Sequence, residues 1–135
     1  MKELKVVTNR RTEMLDITAE VNRLIPSSMD SGVCHVFCNH TTAGLTVNEN
    51  ADPDVQRDIL GALERLVPRD DPAYRHGEGN SAAHLKASML GFSQMLPFSK
   101  GRLCMGIWQG IYLCEFDGPR TRTVTVQFLK EQSLS

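Results

Sequence analysis

Alternation of apolar and polar residues near the carboxyl end is the feature that most limits the folds open to this chain. In segment 121–129 two faces alternate, with Val124, Val126 and Phe128 on one and Thr123, Thr125 and Gln127 on the other. Successive side chains of a strand point to opposite faces, so this pattern predicts a strand with one buried and one wetter face. Segments 92–98 and 103–116 are typical of strands too, and the short turns between the three favour antiparallel pairing.

The rest of the chain adds further strands and at least two helices. Apolar segments predict strands at 4–8, 14–17, 33–38 and 45–47, the first two joined as a hairpin. A short helix is expected after Asp16 or Thr18, and another from Ser81 to Leu90. The clearest helix begins at Pro53, is capped by Asn50 or Asp52, ends before Pro68 and carries an apolar stripe formed by Val55, Ile59, Ala62, Leu63 and Leu66.

This order of elements predicts an α+β fold. We expect an antiparallel β-sheet or sandwich covered by two to three helices, in a single domain over residues 1–135.

The composition argues against several classes of protein. Hydrophobic residues make up 41% and charged residues 23% of the chain, and the formal net charge is -1. This balance offers no basic surface for nucleic acid or membranes, and no apolar run near the amino terminus resembles a signal peptide or membrane span. We expect a cytoplasmic protein with no nucleic-acid or membrane partner. Its four cysteines should be free thiols within strands: Cys34, Cys38, Cys104 and Cys114.

His40 is the first candidate for chemistry. It follows the strand at 33–38, has Thr41 and Thr42 beside it, and precedes Glu49, which lies just after the next predicted strand at 45–47. An imidazole close to hydroxyls and a carboxylate suits acid–base or metal chemistry. Alternatively, His40 is a turn histidine whose ring nitrogen bonds the backbone. His35 lies inside an apolar run and is expected to be structural.

A polar loop at 69–80 carries the second candidate group. His76, Glu78 and Asn80 lie in its glycine-containing part, and His84 follows in the first turns of the next helix. Glycine lets a backbone approach a ligand closely, and a helix start favours anions. The spacing of His76 and His84 matches no standard zinc motif, so a metal site would require His40 to join them in space.

Two features of the carboxyl half complete the candidates. Trp108 is expected to pack as a buried aromatic, whereas Gln109 on the opposite face could orient a ligand. Arg120 and Arg122 follow a predicted type I or II turn at 117–120 and would share one strand face. Two guanidinium groups at this spacing can clamp a phosphate; the alternative is an ordinary solvated hairpin.

Together these motifs resemble the YjbQ family, also called the secondary thiamine-phosphate synthase enzyme family. Four segments carry the resemblance in family-like order: Asn39-His-Thr-Thr-Ala-Gly-Leu-Thr-Val-Asn-Glu-Asn, His76-Gly-Glu-Gly-Asn with His84, Ser88-Met-Leu-Gly, and Gly106-Ile-Trp-Gln-Gly-Ile. The resemblance covers nearly the whole chain. It implies an α+β sandwich assembled as a homotrimer, with His40, His76 and His84 in a polar pocket near the subunit boundary.

Two positions depart from the family pattern. Ile107 stands where many members have threonine. Ala82 and Ala83 stand where an acidic residue often precedes the histidine that matches His84. A carboxylate that would support a metal or orient this imidazole is therefore missing, and we expect a divalent cation to bind more weakly.

The resemblance implies an enzyme that joins a pyrimidine pyrophosphate to a thiazole phosphate. A divalent metal, zinc or magnesium, on the three histidines would neutralise the departing pyrophosphate. The expected substrate contacts are Thr41, Thr42, Asn80, Gln109, Arg120 and Arg122. Two alternatives stay open. One is a metal-assisted hydrolase of a small phosphorylated metabolite, with Glu49 or Glu78 as general base. The other is a non-catalytic trimer that binds a metal, a metabolite or an inorganic anion.

Overall fold

A computed structural model describes residues 1–132, so the last three residues of the domain predicted over 1–135 lie outside the described residues. Within that range the strands are β1 (Lys2–Val7), β2 (Glu13–Asp16), β3 (Ser31–Cys38), β4 (Ala43–Glu49), β5 (Ser93–Ser99), β6 (Arg102–Leu103), β7 (Gln109–Glu115) and β8 (Thr121–Lys130). The helices are α1 (Thr18–Leu24), α2 (Pro53–Leu66) and α3 (Ser81–Leu90).

The strands form two sheets. A five-stranded sheet has the order β1-β8-β3-β5-β6, and a three-stranded sheet has the order β2-β7-β4. Every neighbouring pair is antiparallel. The predicted α+β class, with antiparallel sheets and helices, is confirmed.

Strand β7 is buried on both faces and joins the two parts of the core. Ile111 and Leu113 pack with residues of the five-stranded sheet, such as Val36 and Val126, between the two sheets. Tyr112, Cys114 and Phe116 point the other way and pack against residues of α2 and α3. The three-stranded sheet is therefore a middle layer, which explains why segment 109–116 is almost continuously apolar rather than alternating.

Helix α2 begins as predicted, but its buried stripe differs. The side chain of Asp52 accepts a hydrogen bond from the Asp54 amide at 2.9 Å, and Pro53 occupies the first turn. Leu63 is buried and Ile59 packs beside it, whereas Leu66 is 71% exposed. The apolar stripe thus ends one turn earlier than the sequence pattern indicated.

Two strand predictions were wrong. The segments at 4–8 and 14–17 do not form a hairpin, because β1 pairs with β8 and β2 pairs with β7 in the other sheet. The segment at 103–116 is interrupted, since residues 104–108 are not in a strand. Trp108 in this interruption is 61% exposed rather than packed.

The turn at 117–120 also differs from the type I or II turn that we expected, because the Gly118–Pro119 peptide bond is cis.

The cysteines differ in burial, and this gives a first prediction. All four are free thiols, but Cys104 is exposed and lies outside a strand, contrary to expectation, while the other three are buried. Burial also raises the pKa of the Cys34 and Cys114 thiols to about 12, which disfavours the reactive thiolate.

A thiol reagent should label one cysteine rapidly in the folded protein and four after unfolding. Cys104→Ser should remove the rapid phase, and rapid labelling that survives this change would contradict the assignment.

The described part of the chain contains no helix that is both long and apolar enough to cross a membrane.

Candidate functional site

His76 and His84 lie against each other on the surface beside helix α3. Their ring centroids are 5.3 Å apart and their planes meet at 83°, in an edge-to-face arrangement. The edge of one ring therefore faces the plane of the other. The sequence predicted both residues as site candidates, and the structure brings them together.

Local backbone structure places the two rings. The Gly79 amide donates to the His76 carbonyl at 3.1 Å, and Gly79 has a positive φ of 73°, a conformation that glycine adopts without strain. This turn folds the loop back over the first turn of α3, where His84 lies. The end of the helix lies so close to β4 that only glycine fits at position 44, since a Cβ there would be 2.8 Å from the carbonyl oxygen of Gly91.

The paired histidines line a surface cleft. The cleft has a volume of about 460 Å³, and its lining also includes Tyr74, Arg75 and Ser81. The Tyr74 hydroxyl donates to the Pro68 carbonyl at 2.8 Å, which ties this part of the loop to the end of α2. The cleft therefore combines two imidazoles, two hydroxyls and a guanidinium group.

Glu78 and Asn80 lie on either side of the turn. The Glu78 Oε2 atom is 3.9 Å from His76 Nε2, and the Glu78 side chain is largely exposed. Asn80 donates through Nδ2 to Asp117 Oδ2 at 2.8 Å, and its Oδ1 atom is buried without a hydrogen-bond partner among the described residues. Asp117 in turn accepts from Arg120 Nη2 at 3.0 Å. A chain of polar contacts thus links the start of α3 to the turn before β8.

Hydrogen bonding also sets the charge of Asp117. Burial raises the pKa of its carboxyl, but donation from Asn80 and Arg120 outweighs this effect and holds the pKa below its ordinary value. Asp117 is therefore an anion that neutralises Arg120. This contact occupies part of the guanidinium group that was expected to bind phosphate.

Arg122 does not form the expected clamp with Arg120. Its side chain is 3% exposed and pairs with Glu115, whose side chain is fully buried. Arg122 also donates to Thr42 Oγ1 at 2.8 Å, and Glu115 accepts from Thr8 Oγ1 at 2.8 Å. Arg122 is thus buried whereas Arg120 is exposed. Thr42 accepts a hydrogen bond from the buried Arg122 and is not free to contact a substrate.

His40 lies at the edge of this buried pair. Its Nε2 atom accepts a hydrogen bond from the Thr123 amide at 2.8 Å, which matches the alternative of a turn histidine bonded to the backbone. Burial lowers the pKa of His40, and the nearby Arg122 charge lowers it further. A neutral ring with its proton on Nδ1 satisfies this contact. Thr41, next to it, is exposed.

Glu49 and Gln109 lie far from these residues. They face each other at one end of β4 and β7, whereas Ala43 and Glu115 pair at the other end. The end with Glu115 leads to Asp117, which contacts Asn80 at the start of α3. Six residues of a strand span roughly 20 Å, so Glu49 and Gln109 at the opposite end do not reach the His76–His84 cleft within one chain. Gln109 instead accepts from the Gly106 amide at 2.8 Å and orders its own turn.

The histidines offer two ligands to a metal, not three. Among residues 1–132, no group of three or more His, Cys, Asp or Glu side chains is arranged to hold a metal ion. His76 and His84 are adjacent, but the Nε2 atom of His40 is already engaged by Thr123. The remaining positions around a metal would need water or ligand oxygens. Imidazole donors suit zinc, whereas magnesium prefers oxygen.

Sequence reasoning missed the role of Glu115. A signal for it was present, since Glu115 is the one charged residue in the apolar run from Gly110 to Phe116. A charge in such a run indicates a buried partner of opposite sign. The run alone does not identify that partner as Arg122.

Comparison with known proteins gives a family and several close relatives. The family model described as UPF0047 protein YjbQ-like matches residues 2–131. UPF0047 protein YugU of Bacillus subtilis is 48% identical over 130 residues, which are 96% of this chain and 98% of YugU. UPF0047 protein YjbQ of Salmonella typhimurium is 41% identical over 118 residues, 83% of each chain.

Two solved structures are similar to this chain over almost its whole length. An uncharacterized YjbQ/UPF0047 family protein from Clostridium acetobutylicum superposes with a TM-score of 0.92 at 48% identity, covering 96% of this chain and 100% of that one. A conserved hypothetical protein from Thermus thermophilus gives a TM-score of 0.90 at 46% identity, with the same coverage. The fold and nearly the full length are therefore shared with these proteins.

Proposed function

We propose, from the premise that this chain belongs to the UPF0047 protein YjbQ-like family, that it is an enzyme acting on a small phosphorylated metabolite at the cleft of His76 and His84. The observation that carries the proposal is the contact of these two imidazoles, 5.3 Å apart, in a cleft that Arg75 also lines. Imidazole both donates and accepts protons near neutral pH, and guanidinium binds phosphate oxygens.

The specific reaction that we propose is formation of thiamine phosphate. The bond between the pyrimidine methylene carbon and a pyrophosphate oxygen breaks, and a bond from that carbon to the thiazole nitrogen forms. Negative charge develops on the departing pyrophosphate, so donors directed at it lower the barrier. Arg75 and the two imidazoles are the donors that line the cleft, and Arg120 lies beyond Asn80 and Asp117 along the chain of polar contacts.

A divalent metal fits this site only in part. His76 and His84 would hold it, and zinc suits these two ligands better than magnesium. The bound ion would supply positive charge to neutralise the leaving group. The three-histidine arrangement remains a proposal that needs His40 to leave its contact with the Thr123 amide.

A hydrolase is the second candidate because Glu78 is near. Its Oε2 atom lies 3.9 Å from His76 Nε2, so a carboxylate could accept a proton from an attacking water close to the imidazoles. Glu49, the other base considered, lies at the far end of β4. This geometry favours Glu78 if the reaction is hydrolysis.

The two reactions differ in their products. With both substrates and either zinc or magnesium, the synthase should produce thiamine phosphate and pyrophosphate in equal amounts, measured by chromatography. A hydrolase should release inorganic phosphate from one phosphate ester alone. Neither product at any metal concentration would exclude both reactions and favour a non-catalytic binding protein. The His84→Ala variant, purified in parallel, controls for contaminating enzymes.

We also propose that the protein is a homotrimer. Phe37, Met95 and Leu129 lie on the face of the five-stranded sheet that points away from the core, and they are 42%, 62% and 56% exposed. Exposed large apolar side chains from three neighbouring strands share this face, as is typical of an interface between proteins.

The outer sheet face gives a prediction for the assembly. Light scattering should give a mass about three times 15.1 kDa. Met95→Glu should shift the mass toward a single chain, because a charge would be buried without a partner. Met89→Glu is the matched control, since Met89 is 56% exposed but lies on α3. A wild-type mass of one chain, or an unchanged mass for Met95→Glu, would contradict this interface.

A further inference from the structure

A second cavity, separate from the histidine cleft, lies between α2, α3 and the segment that joins β1 to β2. Its volume is about 220 Å³, many times the roughly 10–15 Å³ that one water molecule needs. Its lining contains three cationic side chains, Arg11, Arg69 and Lys86, and one carboxylate, Glu64. Thr12 and apolar residues complete the lining. The cavity therefore carries an excess of positive charge.

Lys86 is the unusual member of this group. Its side chain is 3% exposed, although lysine is almost never fully buried without a partner. The Lys86 Nζ atom donates to Glu64 Oε2 at 2.5 Å, and this is the one hydrogen bond of its ammonium group among the described residues. An ammonium group carries three donors. Two of them thus remain for a ligand in the cavity.

Glu64 supplies the one carboxylate in the cavity lining. Its side chain is 49% exposed, and its two oxygens accept from Lys86 Nζ and from the Arg69 amide. Donation from Lys86 holds the pKa of Glu64 below its ordinary value, so the carboxylate is charged. Because this long side chain is half in solvent, it can turn outward without unfolding α2. Lys86, by contrast, is fixed in the interior.

We infer that this cavity binds a phosphate-type oxyanion on Lys86, Arg11 and Arg69, with Glu64 as the internal carboxylate that the anion displaces. Lysine supplies a point charge and arginine a planar fork, which is the usual pairing for phosphate groups. The inference does not rest on the proposed reaction. Arg69 also lines a neighbouring cleft that reaches His76, so the two sites lie close along the loop at 69–80.

The test uses inorganic phosphate and a background that removes the histidine site. In the His76→Ala/His84→Ala protein, phosphate should still bind by calorimetry at constant ionic strength, which holds screening fixed. Adding Lys86→Met should weaken this binding at least about tenfold, the scale of a lost hydrogen bond to a charged group. Adding Glu64→Gln instead should tighten it, because the competing charge is gone.

These opposite signs separate a ligand site from a structural ion pair. If Lys86 and Glu64 only stabilise the fold, both changes lower the melting temperature and neither changes phosphate affinity, which would overturn the inference. Absence of phosphate binding in the double-alanine background would overturn it too. If Lys86→Met does not fold, Arg69→Gln decides the matter. It should weaken binding, whereas Arg57→Gln, an exposed arginine on α2 outside the cavity lining, should not. Equal affinities for these two variants would exclude the site.

Discussion

Replacing Glu115 with alanine should lower the free energy of unfolding by about 3–5 kcal/mol, the usual result of removing one member of a buried ion pair. Glu115 is fully buried, and Arg122 is 3% exposed. Without the carboxylate, the guanidinium charge would remain in the interior with only the Thr42 oxygens as partners. Glu115 also accepts from Thr8 Oγ1 and from the Asp117 amide. The loss therefore reaches both sheets and the turn before β8.

Chemical denaturation measures this effect, with two controls. Glu131→Ala removes a carboxylate from an exposed position near the end of the described chain and should change stability by less than about 0.5 kcal/mol. Replacing both members, as in Glu115→Met/Arg122→Met, should recover much of the lost stability because no buried charge is left unpaired. A Glu115→Ala protein as stable as the wild type would show that Arg122 reaches solvent in the absence of its partner.

The sequence predicts elements better than it predicts their partners. The cap of α2 at Asp52 and the alternation in β8 are local properties, and both are found in the structure. Pairing is not local. A hairpin between β1 and β2 was a reasonable expectation from their short separation, yet the two strands enter different sheets. Alternation indicates which face is buried, but it carries no information on the neighbouring strand.

The same limit applies to the candidate site. His76 and His84 are eight residues apart in a loop and the helix after it, so their contact follows largely from local structure. Arg120 and Arg122 were expected to share one strand face as a phosphate clamp, although Arg122 is in register with Val124 and Val126 on the face predicted to be buried. The structure places Arg122 inside because Glu115, seven residues away on β7, provides a buried partner. The register of β8 thus indicates that Arg122 faces the core, but it does not identify Glu115 on another strand as the partner that compensates the buried charge.

Lys86 shows the limit from the opposite side. It lies in the segment Ser81-Ala-Ala-His-Leu-Lys-Ala-Ser-Met-Leu, where a lone lysine is usually solvent-exposed. Its burial depends on Glu64 from another helix. Nothing in the local pattern indicates that contact, so the second cavity was found only from the structure.

Removing His84 should have the largest effect on function. We expect His84→Ala and His76→Ala each to lower kcat/KM for the proposed formation of thiamine phosphate by about 100-fold or more. This is the usual contribution of a positioned acid or base. The reason is their mutual contact: the ring centroids lie 5.3 Å apart, so the loss of one ring removes the packing that orients its neighbour. The effects of the two changes should therefore not add, because residues that act as a unit lose most of their effect with the first replacement.

A binding measurement separates this role from a loss of folding. Zinc should bind at about one ion per chain by calorimetry, and His84→Ala should weaken it at least about tenfold while the melting temperature changes little, since the cleft is on the surface. Met89→Ala is the matched control, because Met89 is exposed on the same helix but does not line the cleft. If His84→Ala and Met89→Ala reduce turnover equally, the cleft is not the reacting site. If activity falls with His84→Ala and zinc affinity does not, the two imidazoles act directly on the phosphate as donors, and the metal has no part in the site.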